Sequence, residues 1–202
     1  MPGRGDGHEA SDEAADRAKA VLFDYIQKSD AVPRLVAAGR ADAAAQDMVR
    51  ACHGGVAELF EPPGMASGVL ATGIMHYVLT RMLVRSQRSI RHGGVDLDIV
   101  IPDAKTLAED PGRALVICVP KTADAAAIRG ALRGAVGVQP VPGNVWLVLP
   151  EEAAKGGPYG ARSFVVARDG GSFARIFAEI REFLDRTSTE GAGSRRLRIL
   201  GA

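Results

Sequence analysis

The change of texture after Gly93-Gly94 constrains this chain more than any other feature of its sequence. Downstream of it, "VDLDIVI" alternates, with Val95, Leu97, Ile99 and Ile101 on one face and Asp96, Asp98 and Val100 on the other. "ALVICV" is a short continuous apolar run, the signature of a strand covered on both faces. "TADAAAIRGALRG" reads as a helix, with Thr122 as N-cap and Gly134 as C-cap. "NVWLVLP" and "RSFVVA" supply two more strands, and Trp146 reads as a core residue. "SFARIFAEIREFLDR" is an amphipathic helix capped by Ser172 that buries Phe173, Ile176, Phe177, Ile180 and Leu184. This order predicts an α/β fold whose central sheet is covered by helices.

Upstream the pattern is helical. "SDEAADRAKAVLFDYIQKS" predicts a helix from Ser11, Pro33 ends or restarts it, and "ADAAAQDMVRACHGGVAELF" predicts a second. After the "EPPG" punctuation a third runs from about Ser67 to Arg88. Its window "GMASGVLATGIMHYVLTRMLV" is the most apolar in the chain. Gly64, Gly68, Gly73, His76 and Arg81 interrupt it, so it predicts a buried helix and no membrane span. A chain of 202 residues suits one compact domain with a helical extension. The expected division is a disordered tail over 1–10, a helical region over 11–60 and an α/β core over 61–190. Residues 191–202 follow as the linker "GAGS" and an edge strand, "RRLRIL".

Composition excludes little. The net charge of +1 carries no signal for nucleic acid, membrane or acidic substrates, so any electrostatic signal is local. Two cysteines without a C-x-x-C argue against a zinc site or disulfide framework and fit a reducing, cytoplasmic compartment. The N-terminus has no apolar h-region of a secretory signal.

Chemistry points to three places. Asp96 and Asp98, two apart on a strand, resist desolvation together; a hard cation such as Mg²⁺ would offset that cost, and a solvated sheet edge would remove it. Lys121 ends the second apolar run and comes near both acids if the two strands pair. Beside metal-bound water its ammonium would orient the nucleophile or neutralise a phosphate; otherwise it snorkels to water. Thirdly, residues 62–95 contain no acid but include Arg81, Arg85, Arg88, Arg91 and His92. On an extended third helix, Arg81, Arg85, Arg88 and His92 form a basic stripe, either a phosphate footprint or a row paired with Asp12, Glu13, Asp16 or Asp47. The "ARDGGS" turn offers backbone N–H groups to an anion but matches no phosphate-loop pattern.

The succession helix, "VDLDIVIPD", "ALVICVPK", helix, "NVWLVLP" resembles the core of the PD-(D/E)xK nuclease superfamily over roughly residues 67 to 150. The resemblance implies a restriction-endonuclease-like mixed sheet flanked by helices, with a core order α-β-β-β-α-β. It implies a Mg²⁺-dependent endonuclease or exonuclease acting on nucleic acid, with Asp98 (or Asp96) as metal ligand and Lys121 as the motif lysine. The family's acid two places before that lysine is here Val119, so the motif is degenerate. Migrated acids at Asp103, Glu109, Asp110 or Asp124 are the alternatives, and the family's first strand has to come from "SIRHG". The competing expectation is a non-enzymatic α/β scaffold or subunit making protein contacts, including homodimer contacts.

Overall fold

A computed structural model describes residues 6–61 and 64–197 of the chain, with the side chains of 13–61 and 64–189. Helix α1 (Asp6–Lys28) is followed by the short α2 (Ala31–Ala37), in which Pro33 occupies the first turn. There its missing N–H costs nothing, and the Ser29 hydroxyl accepts the Val32 amide hydrogen beside it. Helix α3 (Ala41–Ala57) runs through His53-Gly54-Gly55, and α4 (Gly64–Arg81) completes the N-terminal helices. Strands β1 (Gln87–His92) and β2 (Val95–Ile101) form a hairpin. Next come α5 (Ala104–Glu109), β3 (Leu115–Cys118), α6 (Ala125–Val138) and β4 (Val145–Pro150). Finally, α7 (Glu151–Ala154), β5 (Arg162–Val166), α8 (Gly171–Ala174) and α9 (Ile176–Leu197) close the chain.

The five strands lie in sequence order in one mixed sheet: β1, β2 and β3 are antiparallel neighbours, and β4 and β5 add in parallel. The parallel step from β3 to β4 needs a crossover, which α6 provides. Apart from the short α5 between β2 and β3, the run from α4 to β4 follows the α-β-β-β-α-β order that the resemblance implies. The sheet is mixed and flanked by helices, with the expected helical region ahead of it. Each face has its own core. On one, Ile99, Ile101, Ile117, Trp146, Val148 and Phe164 pack with buried residues of α1, α3, α4 and α9. On the other, Leu97, Val100, Val116, Cys118 and Leu147 pack with Leu107 of α5 and Ile128, Leu132 and Ala135 of α6. No helix among the described residues is long and apolar enough to cross a membrane.

Several local expectations need correction. Helix α4 stops at Arg81 instead of running to Arg88. Leu83 adopts a left-handed conformation (φ 57°), and the Leu83 and Val84 amides donate to the carbonyls of Thr80 and Leu79. This is the terminating geometry that glycine usually supplies. The basic stripe accordingly does not lie on one helix: Arg88, Arg91 and His92 belong to β1. His92-Gly93-Gly94-Val95 forms the two-residue hairpin, with both glycines at positive φ (57° and 80°) as such turns require.

Asp124, not Thr122, caps α6 by accepting the Ala127 amide hydrogen at 2.7 Å. Gly134 lies inside that helix, where a Cβ would come 3.0 Å from Val95 Cγ1. Ser172 does not cap the last helix; its hydroxyl accepts the Val165 amide hydrogen of β5. Phe173, Ile176, Phe177 and Ile180 are buried as expected, whereas Leu184 is half-buried. Helix α1 begins at Asp6, within the expected tail, and α9 continues through "GAGS" to Leu197 where a linker and edge strand were expected. Residues 1–5 and 198–202, the rest of those two expectations, lie outside the described residues.

Trp146 anchors the helical-side core. Its ring packs against Phe164 and Phe183 at centroid distances of 5.5 and 6.4 Å, and its indole N–H donates to the Gly143 carbonyl at 3.0 Å. Trp146→Ala is expected to cost about 3–5 kcal/mol of unfolding free energy, measured by urea denaturation.

Candidate functional site

Strand β2 changes face at Asp98. Leu97 packs on the α6 side, with Val95 beside it, whereas Ile99 and Ile101 pack on the α4 side. The expected unbroken alternation therefore slips by one residue between Leu97 and Ile99. Across the hairpin the ladder pairs Arg88 with Ile99 and Ile90 with Leu97, and the intervening Ser89 has φ 49°. The register is the same on either side of this left-handed residue, so no residue is inserted there.

Asp98 is half-buried at that slip, and its Oδ2 accepts the Val119 amide hydrogen at 2.7 Å. The β2–β3 ladder has ended by then, at Ile99 opposite Ile117, and Pro120 has no N–H with which to extend it. The carboxylate thus takes over where strand pairing stops. Burial pushes the Asp98 carboxyl above its ordinary value of 3.8, against the opposing pull of the Val119 N–H and of the Lys121 charge.

Val119 is 1 % exposed and packs in the helical-side core. The segment after it lies directly on α4. A Cβ at Gly68 would sit 3.0 Å from the Pro120 carbonyl oxygen and 3.1 Å from Lys121 Cα, so a glycine is needed for this approach. Lys121 is exposed and emerges beside a cavity of about 250 Å³ at the meeting of α1, α4 and β1. Leu22, Phe23 and Val69 give it apolar walls, and Lys19, His76, Arg88 and Lys121 bring nitrogen groups to it. Lys19 pairs with Asp16 at 2.8 Å. Burial, and then the neighbouring Arg88 charge, hold His76 below its ordinary pKa of 6.5. Both effects favour the neutral imidazole, and lysine and arginine bring the cationic character to the cavity.

The other sequence-derived residues lie apart from this cavity's lining. Asp96 is exposed and faces Arg91, its cross-strand register partner, at 3.9 Å. Arg85 pairs with Asp103 at 3.1 Å. Asp103 is buried as the N-cap of α5, where the Thr106 amide hydrogen at 2.7 Å holds its carboxyl below the ordinary range, the Arg85 charge assisting. Asp103 and Asp124 are thus helix caps. Arg81 is exposed at the end of α4, and His92 is half-buried at the hairpin tip. Of the expected stripe, Arg85 pairs with Asp103, and Arg91 beside it in sequence pairs with Asp96; among the described residues neither pairs with Glu13, Asp16 or Asp47, and the Asp12 side chain lies outside the described residues.

Sequence reasoning paired Asp98 with Lys121, named His76 only among the basic residues of the third helix, and left out Lys19 and Phe23. A histidine within the most apolar helix was the one available signal for His76. The "ARDGGS" turn is held by α3: Gln46 and Arg50 both donate to the Asp169 carbonyl at 3.1 Å. The Gly171 amide donates to the Asp169 carboxylate.

The donor set is a poor match to the Mg²⁺ that the resemblance implies. Asp98 offers one carboxylate with an oxygen already engaged by Val119, Asp96 is exposed beside Arg91, and Val119 itself is buried and apolar. Among the described residues no group of three or more His, Cys, Asp or Glu side chains gathers as a metal-holding set. Cys118, next to Asp98 in the sheet, is pushed up to about 12 by burial and then by the Asp98 charge, so it stays a thiol.

No protein-family model matches the chain, and no curated protein matches it. Among solved structures, the restriction endonuclease PspGI in complex with substrate DNA is similar at a TM-score of 0.46 and 14 % identity. The similarity covers 87 % of this chain and 93 % of that one.

Because the folded state raises the Asp98 pKa, the folded chain holds the proton more tightly than the unfolded chain. The Asp98 contribution to stability is full below the unfolded value, near 3.8, and is lost as pH rises through the elevated folded value. Asp98→Asn keeps an oxygen for the Val119 amide and removes the buried charge. It is expected to flatten the pH dependence of urea-unfolding stability in that window and to be no less stable than wild type at pH 7.

Proposed function

We propose that this chain binds nucleic acid through the cavity lined by His76, Arg88 and Lys121, without the two-carboxylate metal chemistry of an active PD-(D/E)xK nuclease. The observation that supports this reading best is the convergence of Lys121, His76 and Arg88, from three separate elements, on one cavity. Lys121 and Arg88 supply charge and donors for phosphate oxygens. His76, favoured as the neutral imidazole, supplies a donor without adding a third charge to the pair. Asp98 acts as a positioning residue: it fixes the Val119 amide and so the direction in which the chain presents Lys121. In this reading Asp96 and Arg91 form an exposed pair at the sheet edge, and Arg81 and Arg85 extend the phosphate contacts beyond the cavity.

Fluorescence anisotropy with duplex, branched and single-stranded DNA across 50–200 mM salt tests this directly. Binding is expected to weaken with salt; Lys121→Ala and Arg88→Ala are each expected to reduce the log–log slope by about 1. No cleavage is expected with Mg²⁺ or Mn²⁺. Metal-dependent cleavage that Asp98→Asn abolishes would restore the nuclease assignment, and binding to none of the three DNAs would leave the scaffold reading in its place.

A further inference from the structure

Leu83 occupies a position that the fold does not require to be leucine. It closes α4 at φ 57°, a left-handed conformation that L side chains rarely adopt, and it is 91 % exposed. Strain and exposure both fall on a large apolar side chain, where glycine would carry neither. Leu83 stands at an open groove of about 630 Å³ between the end of α4 and α9, with Arg81, Arg85 and Arg181 along it. Arg85 is held by Asp103, Arg181 donates to the Gly39 carbonyl, and Asp185 also lines the groove. Arg81 has no ion pair among the described residues. The balance around Leu83 is therefore cationic.

We propose that Leu83 is an apolar wedge that enters between base pairs of a bound duplex whose phosphates are held at Arg81, with Arg85 beside it on Asp103. The proposal rests on the nucleic-acid reading above. A protein interface of ordinary size has a contiguous apolar centre. Val36, Met82, Val84 and Leu184 also line the groove but are buried or half-buried, so Leu83 is its one exposed large apolar side chain among the described residues, with arginines on either side in sequence. The other exposed large apolar residues, Val21, Phe23, Val136 and Val141, belong to α1, α6 and the loop after α6. An isolated apolar tip between cations suits unstacking of a base step with phosphates on either side. The connection that carries Leu83 continues directly into Arg88, which lines the cavity.

The test uses duplexes carrying 2-aminopurine at successive positions, whose fluorescence rises when the base is unstacked, with anisotropy read in parallel. Wild type is expected to bind and to raise fluorescence at one step. Leu83→Gly suits the backbone conformation, so its melting temperature is expected not to fall. It should bind with an unchanged salt slope and lose the fluorescence rise, and Leu83→Phe should retain it. Binding by wild type with no rise at any position, or a full rise with Leu83→Gly, overturns the wedge while leaving phosphate binding intact. Absence of salt-dependent binding overturns both readings.

Discussion

The hydrogen bond from the Val119 amide to the Asp98 carboxylate is the contact on which the rest of the site depends. Strand β3 is only four residues long, and its pairing with β2 ends as Pro120 approaches. A buried amide left without a partner there would cost about 1–3 kcal/mol. Asp98 supplies that partner, at the cost of holding a carboxylate in a half-buried place. From this point the chain turns Pro120 and Lys121 onto α4, and Gly68 leaves room for them. Replacing that glycine with a larger residue would push Lys121 away from His76 and Arg88 without touching either.

The same carboxylate explains why the site differs from that of a metal nuclease. An acid at position 119 would have to point where Val119 now fills the helical-side core. The apolar side chain there stabilises the packing of β3 on α4, and with it the chain gives up a second carboxylate beside Asp98. What remains is one acid that organises backbone and a set of nitrogen groups around an apolar-walled cavity. That combination suits the anion-binding reading proposed above.

Much of the architecture was legible in the sequence because burial writes itself into periodicity. "VDLDIVI", "ALVICV" and "NVWLVLP" gave three strands, with a helix between the last two. The slip at Asp98 was hidden because alternation reports a phase only where it stays constant; Leu97 and Ile99 look equivalent in sequence yet face opposite cores. The end of α4 was hidden because "RMLVRSQR" contains no glycine or proline, the residues that usually stop a helix, and Leu83 does that work unaided. Conversely, "GAGS" has the composition of a linker but continues α9. Of the site, Asp98 and Lys121 could be joined because consecutive strands pair. Lys19, Phe23 and His76 reach it through the packing of α1 on α4, which no local pattern encodes.

The most direct measurement is an NMR titration of the His76 imidazole with and without bound duplex DNA. Burial and the Arg88 charge hold its pKa below 6.5 in the free chain. A phosphate seated against Arg88 and Lys121 would offset that repulsion and favour the imidazolium, so the pKa is predicted to rise on binding. An unchanged His76 pKa in a sample shown by anisotropy to be saturated with duplex would contradict the account, because the bound phosphates would then lie elsewhere.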